Sequence, residues 1–227
     1  MSNFRKTGIV CLIMGAVLII SALLLFAYNQ AEDRRAGEAA SAAVTELQTL
    51  LAGKAESSGG EADEPETEAA EAVIEEAAEE ETTAGEETSA ETEPVKMSVE
   101  QIAGRGYIGI LEIPSLGLVL PVLDHCTDAN LKSAPCRYYG STAEDNLVIA
   151  GHNYKQHFGY LSNIQRGDTF TFTDMDGIVH TYEAGLVETL AATAVKEMNE
   201  SDWELSLYTC TYSGNERITV RCRRTGE

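Results

Sequence analysis

Hydrophobic and polar residues divide the chain into three stretches with different patterns. Residues 8–28 form an apolar run of 21 residues without a charge. Residues 55–95 contain almost no large apolar side chain, and from about residue 97 hydrophobic alternation begins, punctuated by Gly, Pro and Asn. The pattern predicts a membrane-spanning helix, a polar spacer and a folded β-rich module, in that order.

The apolar run is long enough for an uncleaved membrane anchor. At ~1.5 Å per residue a helix over residues 8–28 crosses a hydrocarbon core of ~30 Å. The alternative, a cleaved signal peptide, usually has an apolar core of only ~7–15 residues and a small-residue cleavage site. Tyr28-Asn29-Gln30 fits such a site poorly. Arg5 and Lys6 precede the run, which favours a cytoplasmic N-terminus and places the rest of the chain outside the cell.

A helical stalk and an acidic linker are predicted after the anchor. Residues 29–52 are rich in Ala, Glu, Leu and Arg, and large apolar residues recur there at helical spacing. Residues 55–95 carry 16 acidic residues and no basic one. Such a segment cannot bury enough apolar surface to fold, and its like charges repel one another. We expect an acidic disordered spacer that holds the following domain away from a membrane surface; the alternative is a specific binding tail.

The module that follows is predicted to be mainly β, with at least six short strands. The strand signals are short apolar or alternating runs bounded by turn residues. So many strands in ~130 residues favour a closed or nearly closed antiparallel barrel. The strand runs are 106–113, 116–123, 147–150, 169–173, 178–187, 205–210 and 217–223, and short helices are predicted near 98–104, 127–132 and 157–164. The expected organisation is a short cytoplasmic N-terminus (1–7), a transmembrane anchor (8–28), a polar helical stalk (29–52), an acidic linker (53–96) and a folded domain (97–227).

The charge of the chain excludes nucleic acid as a partner. The formal net charge is -21, and residues 1–96 alone carry 6 basic and 20 acidic residues. Residues 97–227 are acidic as well, with 10 basic and 17 acidic residues. Phosphate binding needs basic surface, which neither part offers.

The five cysteines do not form a metal-binding pattern. No CxxC or Cys/His spacing occurs, so a zinc site is not expected. Cys126 and Cys136 are able to pair across a loop outside the cell, but the sequence does not decide this. Cys222 alternates with apolar residues along a strand and is expected to be buried. The cysteines are Cys11, Cys126, Cys136, Cys210 and Cys222.

Cys210 is the candidate nucleophile. It ends a predicted strand, and a turn then reverses the chain. With a two-residue turn at 214–215, Cys210 faces Thr219, and Arg217 and Arg221 are its diagonal neighbours on the same face. A permanent positive charge favours the thiolate, and a guanidinium stabilises an oxyanion. The alternative is a pair of solvated arginines on an edge strand.

A nucleophilic cysteine needs a partner that transfers protons, and the chain has four histidines. His152 follows the buried strand 147–150 through a glycine, a position at a barrel rim. His125 and His157 lie in polar loop contexts. His180 lies in an alternating strand and is expected to face solvent. The pattern therefore favours His152, although a single histidine is more often structural.

Taken together, these residues resemble the sortases, the membrane-anchored cysteine transpeptidases of Gram-positive bacteria. The resemblance covers roughly residues 106–223 and rests on several motifs in the same order as in the family. Ser206 stands where the family usually has threonine, and the loop after Cys210 is short. The motifs are IGILEIPSLGLVLPV, the histidine motif VIAGHN, the following FGYLSNIQRGD, the cysteine motif LSLYTC and the arginine strand RITVRCR.

The resemblance implies an eight-stranded sortase-type β-barrel and a set of site residues. Cys210, His152 and Arg217 match the family's catalytic cysteine, histidine and arginine, with Thr209 and Arg221 as supporting or substrate-binding residues. The implied reaction cleaves an LPxTG-like sorting signal of a secreted protein through a thioacyl intermediate. An amine of a peptidoglycan precursor, or another amine such as a pilin lysine, then accepts the acyl group. No metal and no organic cofactor is implied.

Three other functions stay open. Water in place of the amine gives a hydrolytic cysteine peptidase, and a pilin amine as acceptor gives a pilin-polymerising sortase. No lid motif precedes residue 106, which disfavours the pilin type. An inactive, surface-tethered binding barrel is disfavoured because Cys, His and Arg are all present. The expected location is the cell membrane, with one span and an extracellular catalytic domain.

Overall fold

The structure, a computed structural model, describes residues 2–58 and 97–226. Most of the predicted acidic linker therefore lies outside the described residues. The helices are α1 (Ser2–Ser58), α2 (Asp128–Leu131) and α3 (Val195–Asn199). The strands are β1 (Glu100–Ile102), β2 (Arg105–Ile113), β3 (Leu118–Leu123), β4 (Cys136–Tyr139), β5 (Leu147–Ala150), β6 (Thr169–Asp174), β7 (Val179–Ala191), β8 (Leu205–Cys210) and β9 (Glu216–Arg224).

Helix α1 is a single helix that contains both the predicted anchor and the predicted stalk. It also continues through residues 53–58, which the composition assigned to the linker. Part of it is long and apolar enough to cross a membrane, and the large apolar side chains from Ile9 to Tyr28 are exposed. Such a face is a candidate membrane anchor, because water does not solvate a continuous apolar surface of this size favourably.

Strands β2 to β9 form a closed barrel of eight strands, as the sequence predicts. Neighbouring strands pair in the order β2-β3-β4-β5-β8-β9-β7-β6, and β6 pairs with β2 to close the ring. The short strand β1 extends the sheet beside the start of β2. The predicted antiparallel arrangement is wrong at two places, because β3–β4 and β5–β8 are parallel pairs. Each of these pairs is joined by a connection that crosses from one end of the barrel to the other.

The barrel closes at Gly109, where β2 and β6 approach each other closely. A Cβ atom at this position would lie 2.4 Å from the carbonyl oxygen of Thr173 and 2.5 Å from the Phe172 ring. The pairing of β2 with β3 shifts between Tyr107 and Gly109, which is a bulge. Bulges bend a strand and increase its twist, so glycine and bulge together allow the sheet to close.

Apolar residues form two clusters, one inside the barrel and one between the barrel and α1. The inner cluster includes Leu147, Leu207, Val220 and the predicted buried thiol of Cys222, which is confirmed as fully buried. The outer cluster joins residues of β2, β3 and β4 to Leu47 of α1. The buried residues of α1 are Ala36, Ala40, Ala43, Val44 and Leu47. The predicted stalk is therefore packed on the barrel.

Four short elements differ from the sequence prediction. The predicted helix near 98–104 is instead β1 and a tight turn, because Ala103 and Gly104 adopt left-handed backbone angles of 49° and 77° in φ. The helix predicted near 157–164 is only a 3-10 turn at Leu161–Asn163. Strand β4 and helix α3 were not predicted; both are short, and β4 has two exposed tyrosines that break its alternation.

Candidate active site

His152 follows the end of β5, and Cys210 ends the neighbouring parallel strand β8. Strands β5 and β8 pair in register up to Ala150 and Tyr208. The Gly151 N–H then donates to the Tyr208 carbonyl oxygen over 3.0 Å. His152 and Cys210 each follow this last registered pair by two residues, and adjacent strands are ~4.8 Å apart. The two candidate residues are therefore neighbours at one rim of the barrel.

Gly151 fixes the position of His152 at this rim. A Cβ atom on Gly151 would lie 2.5 Å from the Phe158 ring, so no larger residue fits without moving the loop. The Phe158 N–H donates to the His152 carbonyl oxygen over 3.1 Å, which folds the loop back over the strand end. Close packing of backbone against a fully buried ring holds His152 in place.

Arg217 lies directly opposite Cys210, which differs from the predicted register. The sequence predicts Thr219 opposite Cys210, but Cys210 pairs with Arg217 and Tyr208 with Thr219. The reason is the turn: the Thr211 N–H donates to the Glu216 carbonyl oxygen over 3.0 Å, so residues 212–215 form the loop instead of 214–215 alone. The longer loop shifts β9 by two residues and brings Arg217 closer to the thiol than a diagonal neighbour.

The guanidinium of Arg217 rests on the hairpin loop. Its Nη1 donates to the carbonyl oxygens of Gly214 over 3.0 Å and of Glu216 over 3.1 Å. Both bonds use one nitrogen and leave other donors of the guanidinium for a further partner. A planar group with several donors beside a thiol is suited to bind a carbonyl oxygen or an oxyanion.

Arg221 belongs to a different environment. It lies on the same face of β9 as Arg217 but is 2 % exposed, under helix α3. Its Nε donates to Glu188 Oε1 over 2.8 Å and its Nη1 to Ser206 Oγ over 2.9 Å. Three more bonds go to the Glu197 and Met198 carbonyl oxygens and to Ser201 Oγ. The structure thus separates the two arginines that the sequence places side by side.

Tyr208 is a member of the site that the sequence analysis missed. Its ring packs edge-on against Tyr138 at 5.3 Å between centroids. Burial raises the pKa of Tyr208, and Cys126, Arg217 and Cys210 are close enough to act on it electrostatically. The alternation in LSLYTC places Tyr208 on the face of Cys210, so the sequence contained the signal.

Thr209 points to the opposite side of β8 from Cys210. The residue is 1 % exposed, and its hydroxyl makes no hydrogen bond with any residue that the structure describes. Its backbone pairs with Ile218 of β9. Thr209 therefore contacts the site through the strand and not through its side chain.

The thiols of Cys126 and Cys136 contact each other next to the site. Both are free, and each is close enough to shift the pKa of the other. This contact and burial raise the pKa of Cys136. The same contact lowers the pKa of Cys126. Among the residues described, no group of three or more His, Cys, Asp and Glu side chains is arranged to hold a metal ion.

The electrostatic surroundings of His152 come from burial and from helix α2. Burial lowers the pKa of His152, the nearby Lys132 lowers it further, and Asp128 acts in the opposite direction. The ring of Tyr154 lies 4.8 Å away between centroids. None of these three residues was predicted at the site. Asp128 and Lys132 belong to α2 and its C-terminal cap, which reach His152 only through the fold, whereas Tyr154 lies two residues beyond His152.

The other three histidines have separate surroundings. The His125 side chain is 74 % exposed and pairs with Asp124 over 2.8 Å. His180 was expected to face solvent, which is wrong: its side chain is 12 % exposed, with Nε2 2.9 Å from Asp174 Oδ2 across the β6–β7 hairpin. His157, assigned to a polar loop, is fully buried because α1 covers it beside Ala36.

Acid is expected to destabilise the fold through His157. Burial, followed by the neighbouring His152, lowers the pKa of His157 from the ordinary 6.5 to about 4. Neither ring nitrogen makes a hydrogen bond of good geometry with a described residue. The unfolded chain therefore takes up the proton first, and stability present above pH 6.5 is lost as the pH falls through 4. By pH 4.5 this loss is on the order of 2–3 kcal/mol.

Thermal unfolding of the full chain in mild detergent at pH 7 and pH 4.5 tests this expectation. His157→Phe removes the titrating group. The Tm of this variant is expected to fall less from pH 7 to pH 4.5 than the Tm of the parent chain. His125→Phe changes an exposed ring and is the matched control, with the parent's pH dependence. An equal loss in all three chains contradicts the assignment to His157.

The fold and the rim together define a class: an eight-stranded β-barrel that groups a thiol, an imidazole and a guanidinium at the ends of β5, β8 and the start of β9. A family model described as "Sortase domain" matches residues 111–225, half of the chain. The chain belongs to the sortase family. Sortases are generally membrane-associated cysteine transpeptidases that anchor proteins to the cell wall.

The chain is also similar to individual sortases. The chain is 28 % identical over 163 residues to sortase A from Bacillus anthracis, covering 69 % of this chain and 73 % of the relative. Sortase A from Corynebacterium diphtheriae is similar with a TM-score of 0.49 and 22 % identity, over 54 % of this chain and 62 % of the other. Sortase C from Clostridium perfringens SM101 gives 0.47 and 22 %, over 53 % and 71 %.

Proposed function

We propose that this sortase is a membrane-anchored transpeptidase in which Cys210 is the nucleophile, His152 the proton donor and Arg217 the group that binds the developing oxyanion. The observation that supports the proposal is that His152 follows β5, Cys210 ends the adjacent strand β8, and Arg217 pairs with Cys210 on β9. The substrate is an LPxTG-like sorting signal near the C-terminus of a secreted protein. The acceptor is an amine of a peptidoglycan precursor.

The reaction begins at the Cys210 thiolate. Its sulfur attacks the carbonyl carbon of the scissile peptide, and a C–S bond forms while the carbonyl oxygen becomes an oxyanion. Arg217 lies opposite Cys210 and offers guanidinium donors to that oxygen. The C–N bond then breaks, and the His152 imidazolium gives its proton to the leaving amine. A thioacyl enzyme remains.

The acceptor amine completes the reaction. Its nitrogen attacks the thioacyl carbon, neutral His152 takes up the proton that the nitrogen loses, and the Cys210 thiolate leaves. The lowered pKa of His152 makes its imidazolium a stronger acid, so the proton passes readily to the leaving amine in the first half and leaves the ring neutral to take up the proton in this second half. Water in place of the amine gives hydrolysis.

Mass spectrometry of the full chain in detergent tests the proposal. The chain is mixed with an LPxTG peptide and an excess of triglycine, and both a thioacyl adduct on Cys210 and a ligated peptide are expected. Cys210→Ala is expected to show neither product. Cys11→Ala, which removes an exposed thiol in the apolar part of α1, is the matched control and is expected to behave like the parent.

The products separate the competing functions. An adduct with a ligated peptide supports the transpeptidase. An adduct that yields only the hydrolysed peptide, with triglycine and with other amines, supports a cysteine peptidase instead. No adduct across a library of sorting-signal peptides contradicts both enzymes and supports a non-catalytic binding barrel.

A further inference from the structure

Helix α1 connects the candidate membrane anchor to the barrel without an interruption. It runs as one element from Ser2 to Ser58, with exposed apolar side chains up to Tyr28 and a buried stripe that begins at Ala36. Eight residues of helix separate these two points, which is about 12 Å. Because the stripe packs into the apolar clusters of the barrel, the helix fixes how the barrel is turned relative to the anchor.

The two ends of the stalk contact opposite ends of the barrel. Close to the anchor, Asp33 Oδ1 accepts a bond from the Gln156 N–H over 3.3 Å, in the loop that follows His152. Far from the anchor, Lys54 Nζ donates to the Met175 carbonyl oxygen over 3.0 Å, in the β6–β7 turn. The strand ends that carry the site are therefore at the end of the barrel nearest to the anchor.

A cavity of 590 Å³ lies where the anchor meets this end of the barrel. The last apolar turns of α1 line it with Phe26 and Tyr28, and the loop after His152 lines it with Asn153 and Tyr154. Tyr212, two residues beyond Cys210, completes the wall. The rim with the candidate active site thus reaches the level of the apolar segment itself.

The chemistry of this rim suits a lipid surface. Tyr212 is 95 % exposed, and Tyr28 at the end of the apolar segment is 61 % exposed. Tyrosine is enriched where membranes meet water, because its ring is apolar and its hydroxyl is polar. Lys155, exposed in the loop after His152, adds a cation that phosphate headgroups attract.

We propose that the barrel lies with this rim against the headgroup layer of the membrane, so that Tyr212 is in the interface and the Cys210 thiol opens beside the bilayer. The proposal rests on α1 as the anchor. The consequence for the reaction also rests on the proposed function. A sorting signal would reach the Cys210 thiol when the signal lies within a few residues of a membrane-embedded segment of the substrate. This replaces the expectation that the acidic linker holds the domain away from the membrane.

Tryptophan fluorescence tests this orientation without any substrate. Trp203 is the only tryptophan of the chain and precedes β8, while Cys210 ends it, about 20 Å away. The full chain is reconstituted into phosphatidylcholine and phosphatidylglycerol vesicles, with or without bromine near the top of the acyl chains. Bromine quenches only tryptophans close to the membrane, so Trp203 of the parent chain is a built-in control for the far end.

Three variants complete the design. Tyr212→Trp with Trp203→Phe is expected to lose at least about half of its fluorescence to the brominated lipid, as an interfacial tryptophan does. Trp203 packs on Arg223 at 4.3 Å, so the double variant could fail to fold. In that case Tyr212→Trp with Trp203 retained gives the same value after the parent's Trp203 signal is subtracted. Phe26→Trp, also with Trp203 retained, reports by difference on the apolar segment.

The outcomes decide the orientation separately from the catalytic proposal. Strong quenching at positions 212 and 26 with little at Trp203 supports the inference. The inference is overturned if position 26 is quenched while position 212 and Trp203 are quenched equally weakly. The anchor is then inserted, but the rim is not at the membrane. No quenching at position 26 also overturns it, since α1 is then not an anchor. Ligation activity plays no part in any of these readings.

Discussion

Replacing Arg217 by alanine is expected to lower kcat/KM for ligation by about 10²–10³-fold, the usual cost of removing a donor to an oxyanion. The fold is expected to remain intact, because the two hydrogen bonds lost are made to carbonyl oxygens of the hairpin loop. The unfolding free energy changes by no more than about 1 kcal/mol for such solvated bonds. Arg217→Lys keeps the charge but not the planar fork and is expected to recover only part of the rate.

Arg221→Ala is the matched control on the same strand and the same face, and it is expected to give the opposite result. The change leaves Glu188 without its cation and the carbonyl oxygens of Glu197 and Met198 without their donor. Breaking a buried ion pair from one side costs about 3–5 kcal/mol of unfolding free energy, and the lower end is expected here because Glu188 is 30 % exposed and water solvates it in part. The remaining folded fraction should still ligate peptide at a rate near that of the parent chain.

Steady-state ligation kinetics and thermal unfolding, run on the same preparations, distinguish the two arginines. If Arg217→Ala loses stability and Arg221→Ala loses rate at unchanged stability, the roles assigned to them are exchanged. If neither variant loses rate, neither Arg217 nor Arg221 stabilises the oxyanion, which contradicts the role proposed for Arg217.

The two arginines also show which features of the site can be predicted from the sequence. Alternation along LSLYTC and RITVRCR predicts two adjacent strands with Cys210 and both arginines on one face, and the structure has this arrangement. The register depends on the number of loop residues, and the segment TYSGNE accommodates either a two- or a four-residue loop. Only the folded hairpin decides that Arg217, not Thr219, is opposite the thiol.

Local sequence patterns could not predict the surroundings of His152, for a related reason. The order of the motifs predicts the barrel and places His152 at a strand end, which depends only on β5 and the glycine after it. Lys132 comes from α2, and the burial of His157 comes from α1. Both elements pack beside this loop through contacts between residues far apart in the chain, and no periodicity within one segment records them.

Replacing His152 by alanine is expected to lower kcat/KM for ligation by about 10²–10⁴-fold, the range for a lost general acid–base group. The thioacyl adduct on Cys210 is expected to form more slowly by a similar factor, because the leaving amine has no proton donor. His125→Ala removes an exposed imidazole three residues from α2 and is the matched control, with the rate of the parent chain. An unchanged rate in His152→Ala contradicts its role.

The pH dependence separates a proton donor from a merely structural ring. Acylation needs the imidazolium, so the contribution of His152 falls as the pH rises through its pKa, which burial and Lys132 hold below 6.5. Lys132→Gln removes a positive charge beside the ring and is expected to raise this pKa, so that the falling limb of the acylation rate moves to higher pH. Asp128→Asn removes the opposing charge and is expected to move the same limb to lower pH. Opposite shifts from two neighbours on one short helix are the signature of a titrating His152. A change in folding or packing alone would not follow the sign of the charge removed. A falling limb that stays at the same pH in both variants means that a group other than His152 titrates.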